Sequence, residues 1–72
     1  MLPDVNNVRE LRQARYLTQA QLAMLLGILP NTVGTWEREE AVPRKRMRRK
    51  LARVLKVSEE ELGFGPVAEE AS

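Results

Sequence analysis

The chain has 72 residues, of which 43% are hydrophobic, and a formal net charge of +2. This length predicts one domain, near the lower size limit for a core that folds without disulfides or metals. Because cysteine and histidine are both absent, disulfides, a cysteine-based zinc site and the commonest general base are excluded. No apolar run approaches the roughly 20 residues that span a bilayer, and no signal peptide is visible at the N-terminus, so we expect a cytoplasmic protein.

The first predicted helix follows residues 1–5, which we expect to form a flexible N-terminal arm. Asn7 is a candidate N-cap, and Glu10 lies at the third position after it, as in a variant of the capping box. Val8 and Leu11 lie at helical spacing and predict the buried face of this helix.

A second helix is predicted after Thr18, whose hydroxyl oxygen can accept hydrogen bonds from backbone N–H groups at the helix start. Gln21 lies three positions later and completes a capping box. Gly27 is expected to end this helix at a positive φ, which glycine alone adopts readily. The buried stripe is predicted to consist of Leu22, Ala23 and Leu26.

A third helix is predicted to begin at Pro30, because proline lacks an N–H that would be unsatisfied at the first helical position. Val33 and Trp36 are three residues apart and predict its buried face. Small or polar residues are predicted on the other faces: Asn31, Thr32, Gly34, Thr35 and Arg38.

Pro43 is predicted to open a fourth helix, with a buried stripe formed by Met47, Leu51, Val54 and Leu55. Ser58 and Glu61 form another capping box, which predicts a short fifth helix. Residues 65–72 are expected to be an acidic, flexible tail. With five predicted helices and no strand signal, the fold class is all-α.

The charges are unevenly distributed along the chain. Residues 44–56 carry eight basic side chains and no acid, whereas residues 58–72 carry five glutamates and no base. A basic stripe of this kind attracts nucleic acid, although a solvated helix face explains an isolated basic helix equally well.

A pattern across the second and third helices resembles the helix-turn-helix of the phage repressor and Cro family, also called XRE-like or λ-repressor-like. The matching residues are Gln19, Leu22-Ala23, Gly27-Ile28, Val33 and Trp36-Glu37. The resemblance extends from about Val8 to Leu62. It implies a compact five-helix λ-repressor-like domain over residues 6–64, with the third helix in the DNA major groove.

The resemblance, together with side-chain chemistry, implies direct contacts between the third helix and DNA bases. Asparagine can pair with adenine through two hydrogen bonds, and a threonine methyl group can pack on a thymine methyl group. Asn31 and Thr32 have an alternative role, since they can also cap or decorate the start of the helix. The residues predicted to contact bases are Pro30, Asn31, Thr32 and Thr35.

Phosphate contacts are implied at the start of the second helix, where Gln19 matches the family residue that contacts the DNA backbone. Cations at the start of the fourth helix oppose the helix dipole by roughly 0.3–1 kcal/mol each, which favours an anionic partner. The predicted phosphate-binding cations are Arg38, Arg44, Lys45 and Arg46.

Arg12 and Glu37 match a family pair that links the first and third helices. We expect a structural ion pair that orients the recognition helix. The chain departs from the family pattern at Tyr16, where relatives often carry glycine, and at Leu29, where a polar capping residue is usual. These departures predict a less relaxed end to the first helix, and an exposed Leu29-Pro30 pair.

The sequence therefore predicts a sequence-specific double-stranded DNA-binding protein, a small Cro-like or repressor-like transcription regulator. A homodimer is expected through the fifth helix and C-terminal segment, with Leu62, Phe64 and Val67 as the candidate interface. The alternative is an antitoxin-type module whose DNA binding depends on a protein partner. We expect no enzyme, cofactor, metal, membrane association or small-molecule substrate, and the chain lacks the aromatic set used by readers of single-stranded RNA.

Overall fold

The computed structural model of the chain describes residues 6–64. Within that range the chain forms four α-helices and no strand, which confirms the all-α class. The helices are α1 (Val8–Ala14), α2 (Gln19–Leu26), α3 (Pro30–Glu37) and α4 (Lys45–Leu55). The predicted arm at 1–5 and tail at 65–72 lie outside the described residues.

The predicted fifth helix is a 3₁₀ helix at Glu59–Leu62, so the count of five α-helices was wrong. The capping box at Ser58 forms as expected, but Gly63 ends the segment at φ 80° after only four residues. So short a segment closes a single turn, and its bonds span three residues, as from the Glu61 N–H to the Ser58 carbonyl at 3.1 Å.

The local signals that frame α2 and α3 are all present in the structure. Thr18 and Gln21 form a reciprocal capping box, and Gly27 ends α2 at φ 76°. Pro30 occupies the first turn of α3, and Leu29 before it makes no side-chain capping bond. These features confirm the predicted helix-turn-helix.

Asn7 is the N-cap of α1, as predicted, but its side chain makes no capping hydrogen bond, and the neighbouring Asn6 supplies one instead. Asn6 Oδ1 accepts a hydrogen bond from the Val8 N–H at 3.0 Å. The Asn7 side chain instead donates to the Glu61 carbonyl at 2.9 Å, and its backbone N–H donates to the Leu62 carbonyl. Asn7 is therefore used to attach the 3₁₀ helix to α1.

The fourth helix starts later than predicted. Pro43 is buried in the loop before it, Arg44 is the N-cap, and the first helical residue is Lys45. The Pro43 carbonyl accepts a hydrogen bond from Arg48 Nε at 3.2 Å, which ties this loop to the helix.

In the described range 6–64, three non-glycine residues adopt left-handed backbone conformations near helix ends. Tyr16 has a φ of 58°, and Glu39 and Lys56 each have a φ of 62°. The strained end predicted at Tyr16 is confirmed, since a side chain in this region of φ/ψ space is unfavourable.

The hydrophobic core combines the inner faces of all four helices with Leu62 of the 3₁₀ helix. The predicted stripe of α4 is half right, because Leu51 and Leu55 are buried whereas Met47 and Val54 are only partly covered. Within residues 6–64 the core cluster consists of Val8, Leu22, Ala23, Leu26, Val33, Trp36, Leu51, Ala52, Leu55 and Leu62. No helix within 6–64 is long and apolar enough to cross a membrane.

Candidate nucleic-acid interface

The direction of α3 is fixed by a buried ion pair with α1. Arg12 Nε donates to Glu37 Oε2 at 2.7 Å, and Arg12 Nη2 donates to Oε1 at 3.2 Å. The remaining guanidinium nitrogen, Nη1, donates to the Leu17 carbonyl at 2.8 Å. The two side chains are only 10% and 6% exposed. Each charge therefore offsets the desolvation cost of burying the other.

The electrostatics of Glu37 follow from this arrangement. Burial alone would raise its pKa, but hydrogen bonds from Arg12 and Gln19 and the positive charge of Arg12 outweigh that effect. The pKa of Glu37 is therefore below its ordinary value, and the carboxylate is charged at neutral pH.

Gln19, a predicted phosphate contact, lies at the seam between α2 and α3. Its Nε2 donates to Glu37 Oε1 at 3.0 Å. An amide nitrogen carries two hydrogens, so this bond leaves a second donor for another acceptor.

Gly34 was predicted on an outer face of α3, but it is buried beneath side chains of this seam. A Cβ atom there would lie 3.1 Å from Arg38 Nη1 and 3.7 Å from the Gln19 amide. Glycine therefore gives Gln19 and Arg38 room to lie across α3, and Gly34 packs within the domain.

The N-terminal end of α3 is the most exposed part of the helix. Leu29 is 70% exposed, which confirms its predicted outward position. Pro30 and Asn31 are exposed as well, whereas Thr32 and Thr35 are half-buried. The Thr35 hydroxyl donates to the Thr32 carbonyl at 2.8 Å, so its hydrogen is already used within the helix.

Arg38 is held in an ion pair that the sequence did not indicate. Its Nε and Nη2 donate to the two carboxylate oxygens of Glu40 at 3.0 and 3.2 Å. The pair is exposed to solvent, and it lowers the pKa of Glu40 through the hydrogen bonds and charge of Arg38. No spacing rule for helices would have suggested it, because the left-handed residue Glu39 lies between the two partners.

Exposed cations surround the N-terminus of α4. A surface concavity of about 500 Å³ is lined by Arg44, Lys45, Arg46 and Arg49. No acidic residue lies in the first turn of the helix. Arg49 also approaches Glu59, with Nε 3.8 Å from the carboxylate.

Other basic residues of α4 have structural contacts. Arg48 is buried, with its guanidinium carbon 5.3 Å from the centre of the Phe64 ring. Lys50 Nζ donates to the Leu26 carbonyl at 3.1 Å, close to the C-terminus of α2. Arg48 and Lys50 thus contact other parts of the fold, whereas Arg44, Lys45 and Arg46 form an exposed cluster at the start of α4.

Of the three residues predicted to form the dimer interface, Leu62 is excluded by its burial. This residue has no exposed surface and belongs to the core, so it cannot contribute to an interface between subunits. Phe64 is partly buried against Arg48, and Val67 lies outside the described residues.

Comparisons with known proteins agree with this geometry. A family model described as helix-turn-helix matches residues 8–62. Among solved structures, the chain is similar to the P22 c2 repressor protein, crystallised in complex with synthetic operator 9T in the presence of Tl+. The two share 27% sequence identity at a TM-score of 0.76, over 83% of this chain and 91% of the other. No curated protein matches the sequence.

Proposed function

The chain belongs to the helix-turn-helix family, and we propose that it is a transcription regulator that binds a double-stranded DNA operator through α3. The likeness to a repressor solved on its operator supports this function. Neither the contacts within 6–64 nor the comparisons favour the antitoxin-type alternative.

The observation that carries the proposal is an exposed helix tip held in a fixed direction. Asn31 lies exposed at the start of α3, and Glu37 at its end is bound by Arg12 of α1. A recognition helix needs this combination, because base edges are recognised only when the side chains arrive in a constant register.

We assign base contacts to the outer residues of α3 according to their remaining hydrogen-bonding capacity. Asn31 is free to form two hydrogen bonds with adenine, whereas Thr35 offers chiefly its methyl group because its hydroxyl donates to Thr32. Pro30 contributes an apolar surface, and Thr32, which is half-buried, contacts a base only at its exposed side.

Phosphate contacts are assigned to the residues on either side of this tip. Gln19 offers its second amide hydrogen, and Arg38 exchanges the Glu40 carboxylate for a phosphate oxygen. The exposed cluster at the start of α4 supplies three consecutive positive charges, Arg44, Lys45 and Arg46.

A twofold dimer is proposed for the bound state. Dimers of this kind place two recognition helices in successive major grooves, about 34–36 Å apart. Since Leu62 is buried, we propose that other surface residues of the C-terminal segment form the interface.

The decisive experiment is selection of bound sequences from a random pool of double-stranded DNA, followed by affinity measurements at several salt concentrations. We expect an enriched inverted repeat and a steep fall of affinity with salt. Weak binding without an enriched motif would contradict the proposal. An Arg53→Ala variant controls for the loss of one positive charge away from the proposed DNA contacts, because this exposed arginine lies in the last turn of α4.

A further inference from the structure

We infer that Leu29 recognises the C5 methyl group of a thymine in the operator. This inference rests on the proposed DNA-binding function and names one of the chemical groups that the site selects. Leu29 was noted above for its departure from the family pattern, and no base contact has been assigned to it.

The position of Leu29 is unfavourable for leucine on grounds of stability. It is the N-cap of α3, with extended backbone angles of φ −83° and ψ 145°, and its side chain accepts no capping hydrogen bond. Serine, threonine, asparagine or aspartate would accept one from the first turn of the helix. A leucine that is 70% exposed also gains little from burial in the folded monomer.

The position is favourable for contact with a base. Leu29 directly precedes the exposed residues Pro30 and Asn31 at the tip of α3. In helix-turn-helix proteins the N-terminal residues of the recognition helix approach the base edges. Leu29 and Pro30 therefore present a joined apolar surface at this end of α3.

The chemistry of the major groove identifies the partner of that surface. Base pairs present hydrogen-bond donors and acceptors there, and the thymine methyl group is the apolar feature that distinguishes one base from the others. An apolar tip facing the groove would leave polar base edges without partners at other positions. The Leu29 side chain is therefore matched to thymine.

The test uses the operator obtained from the selection experiment. Each thymine of one half-site is replaced in turn by uracil, which keeps every hydrogen-bonding group and lacks only the methyl. Affinities are measured for the wild type, Leu29→Ala and Met24→Ala. Met24 is a matched control, because it is exposed to a similar degree (74%) on α2.

We expect uracil at one position to weaken binding by the wild type and by Met24→Ala about fourfold, the change expected for one buried methyl-sized group. The same replacement should leave the affinity of Leu29→Ala almost unchanged. Equal losses in all three proteins, or a half-site without thymine, would overturn the inference while leaving the proposed function intact. Failure to enrich any motif would instead overturn the proposed function, and the inference with it.

A Leu29→Asn variant separates recognition from folding. Asparagine can cap α3, so the melting temperature should rise, while the sensitivity to the thymine methyl should disappear. A protein that is more stable and yet loses this sensitivity cannot have lost it by unfolding. If Leu29→Asn kept the fourfold effect of uracil, Leu29 would not be the group that contacts the methyl.

Discussion

Replacement of Glu37 by alanine is expected to destabilise the domain much more than the loss of a surface charge would. The variant removes the partner of Arg12, whose guanidinium is largely buried and forms two of its hydrogen bonds with Glu37. The arginine would then keep only its bond to the Leu17 carbonyl. A buried charge without compensation is the costly outcome, whatever the net value of the intact pair.

The magnitude follows from the burial of the two side chains. Loss of one partner of a buried pair costs about 3–5 kcal/mol, and we take the lower end because the Leu17 bond remains. For a domain of this size, about 3 kcal/mol lowers the melting temperature by about 12–24 °C. Total stability is roughly 4–11 kcal/mol for 72 residues, so the variant should be close to its unfolding threshold.

The assay is thermal and urea unfolding followed by circular dichroism. Glu40→Ala is the matched control, because it removes the same charge from an exposed pair with Arg38 and should leave the unfolding midpoint almost unchanged. Exchange of both partners, Arg12→Met with Glu37→Leu, should recover most of the lost stability. Equal unfolding midpoints for Glu37→Ala and Glu40→Ala would show that burial does not raise the cost of breaking the Arg12–Glu37 pair.

The contribution of the Arg12–Glu37 pair to stability should also depend on pH in the acid range. Because the pKa of Glu37 is lowered from 4.5 in the folded chain, its stabilising contribution is complete above that pH and is lost as the pH falls through the lower folded value. The wild type should therefore lose more stability than Glu37→Gln as the pH falls below about 4.5. Parallel stability curves for the two proteins in this range would contradict the assignment.

Three further predictions concern DNA. Arg46→Ala should weaken binding to every sequence and reduce the salt slope by about one unit, and a slope equal to that of Arg53→Ala would exclude a phosphate contact. Asn31→Ala should lower the ratio of specific to non-specific affinity by a factor corresponding to about 1–3 kcal/mol, whereas an equal loss of both affinities would exclude base recognition. Glu40→Gln should strengthen non-specific binding several-fold by freeing Arg38, and the gain should vanish when Arg38 is alanine. A gain that survives in that background would reflect net charge alone.

Local signals in the sequence predicted most of the helix boundaries. The capping box at Thr18, the positive φ at Gly27 and the proline at the start of α3 depend on neighbouring residues only, so they are visible in a single sequence. The ambiguous cases were those in which two similar signals compete. Asn6 and Asn7 are adjacent and can both cap a helix. Asn7 occupies the N-cap position, but Asn6 accepts the hydrogen bond from the Val8 N–H, and its amide also donates to the Trp36 carbonyl at 2.7 Å.

The contacts of charged side chains could be predicted only where a family pattern supplied the partner. Arg12 and Glu37 were paired in this way, but the bond between Arg38 and Glu40 depends on the turn at Glu39. The burial of Arg48 likewise depends on the path of the chain around Phe64. The basic residues therefore predicted the exposed cluster at Arg44, Lys45 and Arg46. The structural contacts of Arg48 and Lys50 were decided by the tertiary structure.

The sequence by itself determined the all-α class, the helix-turn-helix and the exposed tip at Leu29, because these follow from helical periodicity and from caps a few residues away. Only the tertiary structure decided which side chains remain available for a partner. It buried Gly34 under Gln19 and Arg38, and it placed Leu62 in the core. The physical reason is that burial and ion pairing depend on residues that are distant in the chain, and their positions are set by how the helices pack together.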